Sequence, residues 1–138
     1  MHALIYVSEE TARLEPDELM ALLRASRARN RELGVTGLLA YRDGQFMQIL
    51  EGEQADVREI YGSIAQDPRH QQVHPVWDEA IEMREFAAWP MAFRFLSDAQ
   101  VDRLPHFEQA LNDGFAGSTL RGQPAMARSL MLALRDVF

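Results

Sequence analysis

The first apolar run, Ala3-Leu4-Ile5-Tyr6-Val7-Ser8, predicts a strand over about 2–8, and a period of two groups Leu4, Tyr6 and Ser8 on one face. Leu19, Leu22, Leu23 and Leu33 then recur at helical spacing and predict a helix over about 16–33. Pro16 suits its first turn, and Gly34 suits the position just past its end. Apolar runs at about 35–42 and 45–51 predict two strands joined by a tight turn at Asp43-Gly44. Val57, Ile60, Tyr61 and Ile64 mark one side of a second helix over about 54–66, which stops at Asp67-Pro68. Further strands are expected near 73–82 and 90–96.

Polar residues break this pattern at informative places. Ser26 and Asn30 lie on the apolar stripe of the first helix, where an amphipathic helix would carry two more aliphatics. Gln48 falls on the strand face of Phe46 and Leu50, and Trp89 falls with Met91 and Phe93. A buried amide without partners costs a few kcal/mol, on the order of 1–3. Tyr6, Asn30, Gln48, Trp89 and Met91 are therefore expected to share one polar space between helix and sheet.

The order βαββαββ predicts an α+β, ferredoxin-like mixed sheet with two helices on one face. The cleft between those helices, above the middle of the sheet, is the natural seat of a flat ligand. After Leu96 the character changes. Ser97-Asp98 can cap a helix bearing Val101, Leu104, Phe107 and Leu111, expected over about 98–113. Gly117–Gly122 reads as a loop, and Pro124 opens a last helix with Met126, Ala127, Leu130, Met131, Leu134 and Phe138. These two C-terminal helices should cover the other sheet face, built from Ala3, Ile5, Val7, Met47 and Ile49. The expected organisation is thus 1–96 as one domain and 97–138 as a helical extension in the same compact unit.

With 138 residues, 47% of them hydrophobic, the chain is sized for one domain and a short appendage. No apolar run has the length of a membrane span, and the N-terminus lacks the plan of a signal peptide, so a cytoplasmic protein without membrane contact is expected. A net charge of −7 argues against nucleic acid as a partner. Arg24, Arg27, Arg29 and Arg31 do cluster, but among Glu15, Asp17, Glu18 and Glu32, and read as a solvated helix face. The absence of cysteine removes disulfides, thiol nucleophiles and thiolate metal sites. His70-x-x-x-His74 has helical ligand spacing but runs into a predicted strand, so no metal site is expected. No nucleophile set or phosphate loop stands out.

Five segments in order resemble the BLUF family of blue-light sensors using flavin. They are Leu4-Ile-Tyr-Val-Ser8, Arg29-Asn-Arg-Glu-Leu-Gly-Val-Thr-Gly-Leu-Leu39, Phe46-x-Gln48-x-Leu50-Glu51-Gly52, Asp67-Pro-Arg-His70 and Phe86-x-x-Trp89-x-Met91-x-Phe93. Together they span about the first two-thirds of the chain. Taken singly, Tyr6, Trp89 and Met91 read as core, Asn30 as a helix-end residue, and Arg69 and His70 as surface charge. Their joint order reverses those readings. The lack of cysteine also sets the chain apart from the LOV type of flavin photosensor, whose chemistry needs one.

The resemblance implies noncovalent FAD, with FMN as the alternative. It makes Tyr6 the electron and proton donor and Gln48 the amide whose hydrogen bonds are reset. Asn30 would hold the pyrimidine edge of the flavin, Ser26 would border the ring, and Phe46, Asp67, Arg69 and His70 would complete the cofactor site. Trp89 and Met91 would report the state of Gln48, with Ser8 bonding the indole N–H of an inward Trp89. The expected protein is a photosensor rather than an enzyme, without an output domain of its own. It would signal to an effector protein or through a homo-oligomer, with acidic surfaces and exposed methionines of the C-terminal helices as contacts. The rival reading is a light-independent module of this fold, a small-ligand regulator or an acyl-phosphate hydrolase.

Overall fold

The computed structural model describes residues 1–115 and 117–137. Its strands are β1 (His2–Glu10), β2 (Thr36–Arg42), β3 (Gln45–Gly52), β4 (His70–Ala80) and β5 (Ala92–Phe95). The long helices are α1 (Pro16–Leu33), α2 (Gln54–Gln66) and α6 (Pro124–Val137), with short helices α3 (Asp98–Asp102), α4 (Glu108–Asp113) and α5 (Ser118–Arg121). The strands form one sheet in the order β4-β1-β3-β2-β5. All neighbours are antiparallel except β2 and β5, which run parallel. This is the expected ferredoxin-like α+β sheet.

Local chemistry explains the boundaries. A capping box between Glu15 and Glu18 starts α1, and Pro16 occupies its first turn. Asp43 and Gly44 take φ of 49° and 78°, which closes the β2–β3 hairpin with the twist that flanking strands need. Gly37 answers a different demand. A Cβ there would stand 1.9 Å from the Ile49 carbonyl oxygen, so only glycine lets β2 and β3 approach.

The sheet divides two apolar layers. On one side, Leu4, Tyr6, Leu50, Val57 and Ile60 pack under α2, and Leu22, Leu23, Leu39, Phe46 and Met91 pack under α1. On the other, Ala3, Ile5, Val7, Met47 and Ile49 meet Ala127, Leu130, Met131 and Leu134 of α6. The C-terminal helices therefore do cover the second face. Each of these fully buried large side chains contributes about 1.5–3 kcal/mol before ordering costs.

Several expectations need correction. The helix expected over 98–113 is broken, because Pro105 cannot continue α3, and a 3-10 turn at Pro105–Phe107 links it to α4. The expected loop at 117–122 contains the one-turn helix α5. β4 begins at His70 and ends at Ala80, three and two residues earlier than read from the sequence. β5 begins only at Ala92, so Trp89, Pro90 and Met91 precede it. The methionines of α6 are not exposed: Met131 is fully buried and Met126 half-buried. Phe138 lies outside the described residues.

Candidate functional site

Tyr6 on β1, Gln48 on β3 and Leu39 on β2 are register partners, forming one row across the middle of the sheet. All three line a cleft of about 660 Å³, open mouth included, between α1 and α2. The Tyr6 hydroxyl donates to Gln48 Oε1. Gln48 Nε2 donates in turn to Met91 Sδ at 3.3 Å. A primary amide has two N–H groups, so Nε2 keeps one more to offer the cleft. Burial pushes the Tyr6 phenol well above its ordinary pKa, reinforced by Tyr61 and Asp67, and so keeps Tyr6 a protonated donor.

The α1 wall supplies Leu22, Ala25, Ser26, Arg29 and Asn30. Asn30 is buried, and its Nδ2 donates to the Pro90 carbonyl at 2.8 Å. One turn earlier, Arg27 Nε donates to the Met91 carbonyl at 3.0 Å. Two side chains of α1 thus pin the segment that carries Met91 under the cleft. The opposite wall is Ile60, Ser63 and Ile64 of α2.

Asp67, Arg69 and His70 close one end. The Asp67 carboxylate accepts from the Arg69 backbone N–H at 2.9 Å and from its guanidinium at 2.6 Å, which lowers the Asp67 pKa. His70 Nδ1 lies 3.0 Å from Ser8 Oγ, and its ring packs on Phe46 with centroids 4.9 Å apart. Burial lowers the His70 pKa, so the ring is neutral near pH 7.

The structure thus brings Tyr6, Ser26, Asn30, Gln48, Asp67, Arg69 and His70 to the cleft; of the four other expected members, Met91 lies beneath it on Gln48, and Trp89, Ser8 and Phe46 do not line it. Trp89 is 39% exposed and Met91 2%. Strand alternation does not extend across Pro90, and the Trp89 carbonyl instead accepts from Gly37 N–H. Ser8 accordingly pairs with His70 and not with an indole. Phe46 is fully buried beneath the site, against Tyr41 and His70, and does not line the cleft.

Other residues were missed. Arg27 and Arg29 read as solvated surface but hold Met91 and line the cleft. Their positions, one residue either side of Ala28 and next to Ser26 and Asn30, were the available signal. Glu51 is a buried carboxylate accepting the backbone N–H groups of Glu85 and Phe86, each at 2.8 Å. Burial raises its pKa against those two hydrogen bonds. A buried acid at the end of an apolar strand was its sequence signal.

Among the described residues no group of histidine and acid side chains is placed to hold a metal, and no helix is long and apolar enough to cross a membrane. The donor set suits a flat conjugated ring with a polar edge: aliphatic walls, two amides, three hydroxyls, and guanidinium groups at Arg29 and Arg69 for an anionic or polyhydroxyl tail. The family model for sensors of blue-light using FAD matches residues 1–92. The chain belongs to the BLUF family.

As a BLUF domain it is a blue-light photoreceptor of the family that uses FAD. It is similar to the photoactivated adenylate cyclase subunit beta of Euglena longa, at 38% identity over 85 residues, 62% of this chain and 10% of that protein. The dark-state structure of the BLUF protein BlrB matches with a TM-score of 0.71 and 29% identity, over 93% of this chain and 96% of its own. The structure of BlrP1 from Klebsiella pneumoniae with FMN and cyclic diGMP matches with a TM-score of 0.68 and 26% identity, over 99% of this BLUF chain and 35% of that one. The chain spans about a tenth of the length of the curated relatives it matches.

Proposed function

We propose that this BLUF domain converts blue light into a changed hydrogen-bond arrangement at Gln48, which is read by another protein. The observation that carries this reading is the unbroken buried chain from the Tyr6 hydroxyl through the Gln48 amide to Met91 Sδ, at the floor of the cleft. The flavin, once bound, supplies absorption of blue light and an excited state that accepts an electron.

Tyr6 gives the electron, because a phenol is oxidisable and this one stays protonated in its buried setting. Its hydroxyl proton would pass along the hydrogen bond to Gln48 Oε1 and on to the bound flavin that has taken the electron, which keeps the charge balanced. While that proton is away, nothing holds Oε1 toward Tyr6, and the amide rotates. When electron and proton return to Tyr6, Gln48 presents Nε2 where it had presented Oε1. Its bond to Met91 Sδ, a weak acceptor, is then lost. No covalent bond between protein and flavin forms.

Asn30 would hold the hydrogen-bonding edge of the ring, Ser26 would border it, and Leu22, Leu39, Ile60 and Ile64 would keep water from its faces. Arg69, oriented by Asp67, would hold the ribityl and phosphate groups of the flavin together with His70. Residues 1–96 sense and 97–138 relay, as one compact unit without an enzymatic step of its own. Met91 is the inward reporter, and Trp89 turns outward. The family match favours this reading over a light-independent module.

The test is titration of the apoprotein with FAD followed by blue irradiation. Stoichiometric binding and a red shift that reverses in darkness are expected. A protein that rejects flavin, or holds it without any shift, would overturn the proposal.

A further inference from the structure

A second depression lies away from the flavin cleft. It is an open groove of about 1060 Å³ between the end of β4, the chain after it and the first half of α6. Its apolar floor includes Trp77, Ile81 and Met83, and Met83 is 71% exposed, the most exposed of the large apolar residues described. Its rim carries Glu79, Glu82 and Glu85. Arg128 and Arg135 both pair with Glu85, at 3.6 and 3.1 Å. Among the described residues Glu79 and Glu82 form no ion pair.

We propose that this groove docks a cationic amphipathic helix of the effector protein. The inference rests on the reading that the domain signals to another protein. A trough walled by a strand end and a helix suits a helix laid in by its apolar face. Methionine adapts to varied apolar partners, and two unpaired rim carboxylates select lysine or arginine beside them. The charge of −7 disfavours a second copy, which brings the same charge, and also anionic lipid and nucleic acid.

The groove is also fastened to the photosensor. Glu51 follows Gln48 by three residues on β3, and its carboxylate grips the N–H groups of Glu85 and Phe86. Arg84 donates to the Glu51 carbonyl and to Thr36 Oγ1, each at 2.9 Å. A shift of β3 therefore reaches the Glu85 rim of the groove directly.

The test uses the FAD-loaded chain and a Leu/Lys amphipathic peptide of about five helical turns, titrated calorimetrically at low salt. Binding is expected, with no binding of the Leu/Glu analogue. Affinity should fall about tenfold in Glu79→Gln/Glu82→Gln and in Met83→Ser, since the first removes rim charge and the second apolar contact without adding charge. These surface variants should keep FAD and the red shift, which separates failure here from failure of the photoreceptor reading. Unchanged affinity in both variants, or no peptide binding by a wild-type chain with an intact red shift, would overturn the proposal. So would a wild-type dimer dissolved by the same substitutions, which would give the groove to a second copy.

Discussion

Asn30 occupies the point where α1, the cleft and the segment before β5 meet. Its Nδ2 already holds the Pro90 carbonyl, so truncation acts on the ligand and on the support of Met91 together. Losing hydrogen bonds to a bound ring edge costs about 1–3 kcal/mol, so Asn30→Ala should weaken FAD binding about 10- to 100-fold. Fluorescence titration checks this, and an unchanged affinity would remove α1 from the ring edge. His70 gives a prediction in pH. Its folded pKa lies below the ordinary value of 6.5, because burial disfavours the charged ring. The unfolded chain therefore binds that proton more readily, unfolding takes up protons, and stability is lost as pH falls below about 6.5. Urea unfolding between pH 7.5 and 5 should show this loss, and His70→Gln should flatten it.

At the scale of elements, the β4–β5 connection is held by a carboxylate rather than by an apolar plug. Glu51→Gln replaces one of two acceptor oxygens by a donor facing a buried N–H. One backbone group is then unsatisfied, at a cost of about 1–3 kcal/mol. Hydrogen exchange should speed up at Glu85 and Phe86 while the Tyr6–Gln48 bond is kept; unchanged protection there would show that the clamp is dispensable. This clamp also marks the limit of what the sequence discloses. The Asp43-Gly44 hairpin, the ends of α1 and α2 and the inward row of Tyr6 and Gln48 follow from local signals, and all are legible. Glu51 takes its partners from a loop 34 and 35 residues away, which no periodicity reports. Trp89 was misplaced because alternation was carried through Pro90, where the ladder has no donor. In the 98–113 region the apolar spacing of Val101, Leu104, Phe107 and Leu111 survives the break at Pro105, so the pattern hid the break.

At the scale of the whole molecule, the sheet separates the cleft from α6, and β3 and the Glu51–Glu85–Arg135 contacts join them. β3 carries Gln48 toward the cleft and Met47 and Ile49 toward α6. Arg135 of α6 donates to the Glu85 carbonyl at 2.9 Å, next to the Glu51 clamp. If light changes the bonds of Gln48, α6 and the loop before β5 should alter their protection from hydrogen exchange between dark and blue light. Identical protection in a chain whose flavin still shifts would move the output to α1 or the hairpin. The central claim, that Tyr6 and Gln48 perform the photochemistry, has a more direct test in light-minus-dark absorption spectra of FAD-loaded wild type, Tyr6→Phe and Gln48→Leu. Both substitutions nearly conserve volume, so the flavin should stay bound in all three. The wild type should show a reversible red shift and both variants none. A persistent red shift in Gln48→Leu would contradict the account, because that side chain has no amide to rotate.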